Sequence, residues 1–427
     1  MKPPYLHWHN AILHCEQVAL DRIAAQFGTP CYVYSLGMLQ ATYRELQDAF
    51  FETGLDARIH YAVKANSNIQ VLRALADEGA GADIVSAGEM QRALYAGIKA
   101  DRIIFSGVGK SDEELRLALE KQIGQINIES SEEFEALAAL AETSQRLVRI
   151  AIRLNPDIDA GTHEKISTGK QENKFGVNFD EALALYKRAL DCDFLDADCI
   201  AMHIGSQITN PEPWIRAGSK MRELYTACTH QGNQIKKLDV GGGLGVQYHD
   251  GMDALQPADW AGAIKQSLGD LPVQFLLEPG RFVVADSGLL LTRCLRCKSN
   301  RTRHFIILDA AMNDLLRPAL YDSHHELLPI HQPGDEAKQA SFDLVGPICE
   351  SSDLFARKRR MTSLKKGDLA AFTKAGAYGA VMASEYNARP LVPEIVIRKN
   401  RFALARPRGD IMRAIQTESA VEWHDGS

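Results

Sequence analysis

From about residue 58 to residue 281 the chain alternates short apolar runs with amphipathic stretches. The runs Arg58–Val63, Ala82–Ser86, Ile103–Ser106, Gln125–Glu129, Val148–Leu154, Cys199–Ile204, Lys237–Val240 and Val273–Leu277 read as eight β-strands. Between them, Asn68–Glu78, Gly88–Ala96, Asp112–Lys121 and Ser131–Glu142 carry apolar residues at helical spacing. Ser131, with Glu133 and Phe134 behind it, marks a helix start with early negative charge. Strands that alternate with helices imply parallel strands joined by right-handed crossovers. Eight such units in roughly 220 residues predict an α/β fold, a (β/α)8 TIM barrel over residues 36–285.

After residue 285 the texture changes. Leu289–Cys297, Phe305–Leu308, Phe342–Val345, Leu369–Phe372 and Glu394–Val396 read as strands without regular helices between them, punctuated by Gly and Pro. A second, mostly β domain, sandwich- or barrel-like, is expected from residues 286–427 together with residues 1–35, which hold the strand-like Cys31–Tyr34.

A chain of 427 residues is too long for one ordinary core, which agrees with two domains. Hydrophobic residues make up 45% and charged residues 24%, a balance typical of soluble globular proteins. The net charge of -7 argues against nucleic acid or an anionic membrane as the main partner. The opening MKPPYLHWHN lacks the apolar core of a signal peptide. No apolar run approaches the roughly 20 residues that span a bilayer. The eight cysteines are scattered, as expected of reduced thiols in the cytoplasm. Cys294 and Cys297 form one CxxC, but a zinc site wants a second pair or nearby histidines, so the pair reads as small apolar residues in a strand and no metal is expected.

Candidate chemistry falls at the ends of the barrel strands, where barrel enzymes build their sites. Lys64 closes the first strand in His60-Tyr61-Ala62-Val63-Lys64-Ala65-Asn66 and is either a solvated charge or a Schiff-base former. His203 ends strand six ahead of Gly205, Ser206 and Gln207, as a core histidine or as a group facing a ligand. At the end of strand seven, Asp239-Val240-Gly241-Gly242-Gly243-Leu244-Gly245 is a turn or a phosphate cradle. Glu278-Pro279-Gly280-Arg281 ends strand eight, as a plain ion pair or as a carboxylate for a ring nitrogen beside a guanidinium for an anion. Gly107-Val108-Gly109-Lys110-Ser111 mimics the tail of a P-loop, but Ile104 stands where the first glycine is needed. In the β domain the candidates are Arg317-Pro318-Ala319-Leu320-Tyr321, Gly346-Pro347-Ile348-Cys349-Glu350-Ser351 and Gly376-Ala377-Tyr378-Gly379. Cys349 is a small buried hydrophobe or a proton donor.

Each signal alone is weak or moderate. Together AVKAN, HIGSQ, GGGLG, EPGR, MNDLLRPALY, GPICES and AGAYG resemble the fold-type III pyridoxal-phosphate decarboxylases. Gly161–Gly169 (GTHEKISTG), Glu172–Gly176 (ENKFG) and Cys349-Glu350-Ser351 resemble the diaminopimelate decarboxylases rather than the ornithine enzymes. The resemblance runs from about Phe27 to Val396. It implies pyridoxal 5'-phosphate as cofactor, carried by Lys64 as a Schiff base, with His203 stacked on its ring. Ser206, Gly243, Gly280 and Arg281 then surround the phosphate, Glu278 meets the pyridine nitrogen and Tyr378 helps hold the cofactor. Arg281, Arg317 and Tyr321 hold the substrate's distal carboxylate, Glu350 its distal ammonium, and Tyr378 also borders the substrate. Cys349 returns a proton. The resemblance places Cys349 and Glu350 in the partner subunit's site, so the enzyme is expected to be a homodimer that converts meso-2,6-diaminopimelate to L-lysine and CO2, the last step of lysine biosynthesis. Rival expectations are a decarboxylase of ornithine, arginine or a carboxylated polyamine, a racemase on the same barrel, and a catalytically dead binding protein that would have lost Lys64 or Cys349.

Overall fold

Short Val- and Ile-rich strands cannot cover both their faces alone, and parallel pairing with helices outside is the stable solution. In a computed structural model, which describes residues 5–161, 169, 173–334, 337–418 and 421–424, the chain divides into two compact units. One is residues 38–286; the other joins residues 1–37 to 287–427.

The first unit is a closed barrel of eight parallel strands in chain order: Ala57–Ala62, Gly81–Ile84, Ile103–Phe105, Gln125–Ile128, Val148–Arg153, Leu195–Ala201, Lys237–Asp239 and Gln274–Leu277, with the eighth pairing the first. Helices follow the strands and are capped by the residues that sequence preferences favour. Asn68, Ser86, Ser111, Ser130 and Asn178 each accept a backbone N–H from the first turn of their helix. The rejected P-loop mimic ends in one of these caps. Ser111 and Glu114 form a reciprocal capping box on helix Asp112–Lys121, while Lys110 is held by the carbonyls of Gly107 and Asn127 and by Glu133.

Strand periodicity of two stacks the barrel interior in layers. Ile104, Ala151, Cys199, Ala201 and Leu276 form the apolar middle. Below it, Arg58, His60, Gln125, Arg149, Lys237 and Gln274 line a charged cavity of about 380 Å³. Two residues above the middle layer stand Ser106, Arg153, His203 and Glu278, at the strands' C-terminal ends. Burial, with nearby Arg102, pushes the His60 imidazole down to about 3.

The second unit centres on the 12-residue strand Gly288–Ser299. Its first half lies antiparallel to Cys31–Ser35 and Leu369–Phe372, and its second half pairs with His304–Leu308. Gln339–Val345 and Leu354–Thr362 extend one side of this nine-stranded sheet, Glu394–Arg398 and Arg401–Arg406 the other. A register shift between Cys294 and Arg296 turns Cys294 and Cys297 to one side, with their sulfurs 3.7 Å apart. Among the elements outside the sequence expectations are the small sheet Leu6–His9, Ile12–Cys15, Val18–Ala19, the helix Leu20–Phe27, the strands Leu327–Pro329, Leu354–Thr362 and Arg401–Arg406, and the helix Ile411–Glu418. Among the described residues no helix is long and apolar enough to cross a membrane.

Outside the barrel, Trp260 packs edge-on to Phe50 with ring centroids 5.2 Å apart and lies 5.6 Å from Trp214, all three fully buried. Trp260→Ala is expected to destabilise the barrel unit by about 3–5 kcal/mol through lost packing and a cavity. Denaturant unfolding followed by circular dichroism checks this; a loss below about 1 kcal/mol, within the range of a surface change, would contradict it.

Candidate active site

Lys64 does not end the first strand. The strand closes at Ala62, and a single 3₁₀ turn, Val63–Ala65, carries Lys64 to the rim, where its side chain is 38% exposed. The turn is tied off by the Tyr61 hydroxyl, which donates to the Asn66 carbonyl at 3.2 Å. Lys64 Nζ donates to Asp83 Oδ2 at 3.2 Å, from the end of strand two. Asp83 is buried, and its other oxygen, Oδ1, has no hydrogen-bond partner among the described residues. Glu89, on the helix after strand two, lies in the same field. Its burial, reinforced by Asp83, outweighs the Val85 N–H at 2.8 Å and Lys64, and pushes its carboxyl up to about 7.

Glu278 follows strand eight and is 7% exposed. Burial, then the charges of Asp239 and Asp83, raise its carboxyl well above the usual range, with Lys64 opposing. The Ser106 hydroxyl donates to Glu278 Oε1 at 3.4 Å. His203, after strand six, accepts the Gly242 N–H at Nδ1, 3.1 Å away. Burial, with Lys64 and Arg153 nearby, pushes the imidazole well below its ordinary value, so the ring is neutral. Arg153 is itself paired to Glu129 at 2.7 Å and donates to the His203 carbonyl at 3.4 Å.

Arg281 is buried beside the glycine turn. Its Nε and Nη2 each lie 3.2 Å from Ser206 Oγ, and Nη1 donates to the Tyr248 hydroxyl at 3.1 Å. Gly243 sits at φ +104°, and a Cβ there would come within 2.9 Å of Ile208 Cδ1, so the turn needs glycine. The barrel mouth thus gathers a primary amine, a neutral imidazole, a buried guanidinium next to a hydroxyl, and three buried carboxyls, Asp83, Asp239 and Glu278. Lys64 is the cation that lies among those carboxyls. A phosphorylated pyridine aldehyde fits this donor set: the amine matches the aldehyde, the guanidinium the phosphate, and a cationic ring nitrogen the excess of carboxyls.

In the second unit, Arg317 opens the short helix Arg317–Tyr321 and is buried. Its Nη1 is 3.0 Å from His325 Nε2, and its Nη2 3.3 Å from Ser323 Oγ. Cys349 and Glu350 are exposed. The Cys349 N–H donates to Asn387 Oδ1 at 3.3 Å, and Glu350 accepts from Ser352 and Tyr386. The loop that carries them is clamped by Asp353, which accepts the Met312 and Ile348 N–H groups at 2.7 and 2.6 Å. A Cβ on Gly346 would lie 2.5 Å from that carboxylate, so the clamp excludes any larger residue. Tyr378 is half-buried with φ +56°, a left-handed conformation unusual for tyrosine. Tyr321 is half-buried at the helix end.

Sequence reasoning missed Asp83, Asn127, Glu129 and Arg153, and gave Asp239 no role beyond opening the glycine motif. Each is a polar residue within or just after a largely buried strand, and that pattern is the signal for a group turned into the barrel. Of the motif spanning Gly161–Gly169 and Glu172–Gly176, residues 162–168 and 172 lie outside the described residues.

An eight-stranded barrel with this mouth, in one chain with a β-rich unit, defines a pyridoxal-phosphate enzyme of the decarboxylase class. The family model for the pyridoxal-binding domain of pyridoxal-dependent decarboxylases matches residues 36–285. A diaminopimelate decarboxylase from Zymomonas mobilis is 45% identical over 418 residues, 97% of this chain and 98% of that one. The crystal structure of diaminopimelate decarboxylase from Helicobacter pylori, complexed with L-lysine, superposes with a TM-score of 0.89 at 40% identity, covering 93% of this chain and 99% of that one. The M. jannaschii enzyme, also with L-lysine, gives a TM-score of 0.92 at 31% identity, with 98% of each chain covered. The chain belongs to the diaminopimelate decarboxylase family.

A neutral His203 has a measurable consequence. Because its pKa falls on folding, the native ring takes up no proton near pH 6.5 while the unfolded chain does, so its contribution to stability is present above about pH 6.5 and declines as pH falls below it. The His203 ring resonances, assigned with His203→Gln, are expected to stay fixed from pH 8 to about pH 5.5. A midpoint inside that window would contradict the neutral ring.

Proposed function

We propose that the enzyme removes one carboxyl group from meso-2,6-diaminopimelate to give L-lysine and CO2, the last step of lysine biosynthesis, as a cytoplasmic homodimer. The observation that carries this is the set of groups on neighbouring strand ends, Lys64, His203, Ser206, Glu278 and Arg281, in a chain of this family. Bound pyridoxal phosphate supplies the electron sink that accepts the pair left when the carbon–carboxyl bond breaks.

The protein's part is binding, orientation and proton placement. Lys64 would supply the amine that anchors the cofactor's aldehyde. Arg281 and Ser206, with the backbone of Gly243 and Gly280, hold the phosphate. Glu278 meets the ring nitrogen, and a carboxylate there keeps that nitrogen protonated. His203 offers an uncharged aromatic surface to the ring, and Tyr378 supports cofactor and substrate. Arg281, Arg317 and Tyr321 hold the distal carboxylate, for which a guanidinium fork is suited, and Glu350 takes the distal ammonium. The partner's Cys349 gives its proton to the carbon that has lost CO2. One C–C bond is broken, one C–H bond is formed, and the thiolate is reprotonated from solvent. The exposure of Cys349 and Glu350 supports their service to a neighbouring subunit.

The decisive assay gives purified protein and pyridoxal phosphate a panel of diaminopimelate, ornithine and arginine, and identifies the amine products. Lysine and CO2 from diaminopimelate are expected; turnover of ornithine or arginine alone would overturn the substrate. Borohydride reduction is expected to fix the cofactor to Lys64, and a label on any other lysine would sink that role.

A shared site makes a second prediction. Lys64→Ala and Cys349→Ala homodimers are each expected to be nearly inactive. After subunit exchange, a mixed dimer places both lesions in one site and leaves the other intact, which restores about a quarter of wild-type activity. Continued inactivity, with exchange confirmed by native mass spectrometry, would show that both residues act within one chain.

A further inference from the structure

Asp239, the last residue of strand seven, is completely buried, and none of the roles above uses it. Its carboxyl faces that of Glu278, and after burial the Asp239 charge is what holds the Glu278 carboxyl well above the usual range. Asp239 Oδ1 accepts the Gly241 N–H at 3.0 Å, and Oδ2 lies 3.5 Å from Asn127 Nδ2. The same Asn127 nitrogen donates to Ser106 Oγ at 3.1 Å, and Ser106 donates to Glu278 at 3.4 Å. Four groups from strands three, four, seven and eight therefore form a buried polar chain with the two carboxyls at its ends.

Two buried carboxylates side by side repel and offer each other only acceptors, so a single shared proton is the favourable state of the pair. The charged and titratable neighbours do not change this count. Asp83, on strand two, adds a negative charge; Cys199, on strand six, is a thiol held neutral by burial; Lys237, two residues back on strand seven, is 3.0 Å from Asp198; and Lys64 is engaged by Asp83.

We propose that Asp239 is a positioning residue: it takes the pair's proton when a cationic ring nitrogen meets Glu278. Without a cation in front of it, Glu278 keeps the proton and Asp239 carries the charge. A cation facing Glu278 makes the charge more favourable there. The Glu278 O–H bond then breaks, an O–H bond forms on Asp239, and the pair's charge stays at one with no proton exchanged with solvent. Glu278 ends as a carboxylate with a cation ahead and a hydrogen-bond donor behind. Such a donor to a charged group is typically worth more than one to a neutral group. This rests on the assignment of Glu278 to the ring nitrogen.

The test uses the holoenzyme with Asp239→Asn and Asp239→Ala. Asparagine keeps a donor toward Glu278, whereas alanine removes it. Asp239→Ala is expected to lose about 10- to 100-fold in turnover, and Asp239→Asn to recover most of that loss. Infrared difference spectra give a readout independent of turnover. The wild-type holoenzyme is expected to show a protonated-carboxyl band that Asp239→Asn removes. In the cofactor-free protein, the matching band is expected to vanish in Glu278→Gln. Asparagine as damaging as alanine, or a holoenzyme acid band that persists in Asp239→Asn, would overturn the proposal. If Asp239→Ala does not fold, the infrared comparison of wild type with Asp239→Asn decides alone. Borohydride mapping of the wild type separates this from a fault in the cofactor assignment, which would appear as unlabelled Lys64.

Discussion

An excess of buried negative charge governs the barrel mouth. Asp83, Asp239 and Glu278 come from three strand ends, and Lys64 stands among them. An uncompensated buried carboxylate costs several kcal/mol, so protons, hydrogen bonds or a cation must settle the balance. The other side of the mouth is already balanced. Burial raises the Glu129 carboxyl, but Arg153 and Lys110 outweigh it and hold it below the usual range. The Gly176 N–H, 2.9 Å away, adds to that. One flank is therefore a finished ion pair, and the other is set to receive positive charge. A cofactor with a basic ring nitrogen supplies what the second flank lacks, and that is the physical sense in which this mouth suits pyridoxal phosphate.

Closed-barrel geometry brings the imbalance about. With every strand parallel, alternate residues from all eight strands converge at one end. Cys199, Ala201 and His203 pass in two steps from the apolar layer to the ligand-facing one, and Ile104 and Ser106 do so in one. The apolar layer separates the charged lower cavity from the mouth, so the carboxyls above it sit in a poorly solvated setting. That setting shifts Glu278 and His203 in opposite directions, both toward the neutral form.

What was legible in the sequence follows from the same periodicity. The apolar runs placed all eight barrel strands, because a strand buried on both faces is apolar along most of its length. Lys64, His203, Glu278 and Arg281 stood out because polar residues ended those runs. Asp83 and Asn127 did not, because single polar residues flanked by apolar ones leave the run intact to the eye, and Asp239 was read only as the start of the glycine motif. Their role depends on which strands lie side by side, a fact about closure that no local window contains. The strand Arg401–Arg406 was hidden for a different reason. It lies at the sheet edge with none of its residues buried, so burial imposes no apolar pattern on it. Helix Ile411–Glu418 has no buried residue and leaves an equally faint trace.

The second unit shows how a buried arginine is held ready. His325 Nδ1 lies 3.0 Å from the Thr373 carbonyl, which can only accept, so Nδ1 carries a hydrogen. Its Nε2 lies 3.0 Å from Arg317 Nη1, and a guanidinium can only donate, so Nε2 must present a lone pair. The two contacts together require a neutral imidazole of one tautomer. A protonated His325 would face the guanidinium with a donor and a like charge. The Ser323 hydroxyl, 3.3 Å from Nη2, fixes the second arm of the fork. Arg317 is thus fixed in place by groups that leave its charge intact. On the proposed function that charge meets the distal carboxylate. A fork already immobilised in the protein loses little conformational entropy when it binds, so more of the charge-assisted hydrogen bonding remains to separate a substrate with a distal carboxylate from a plain diamine chain.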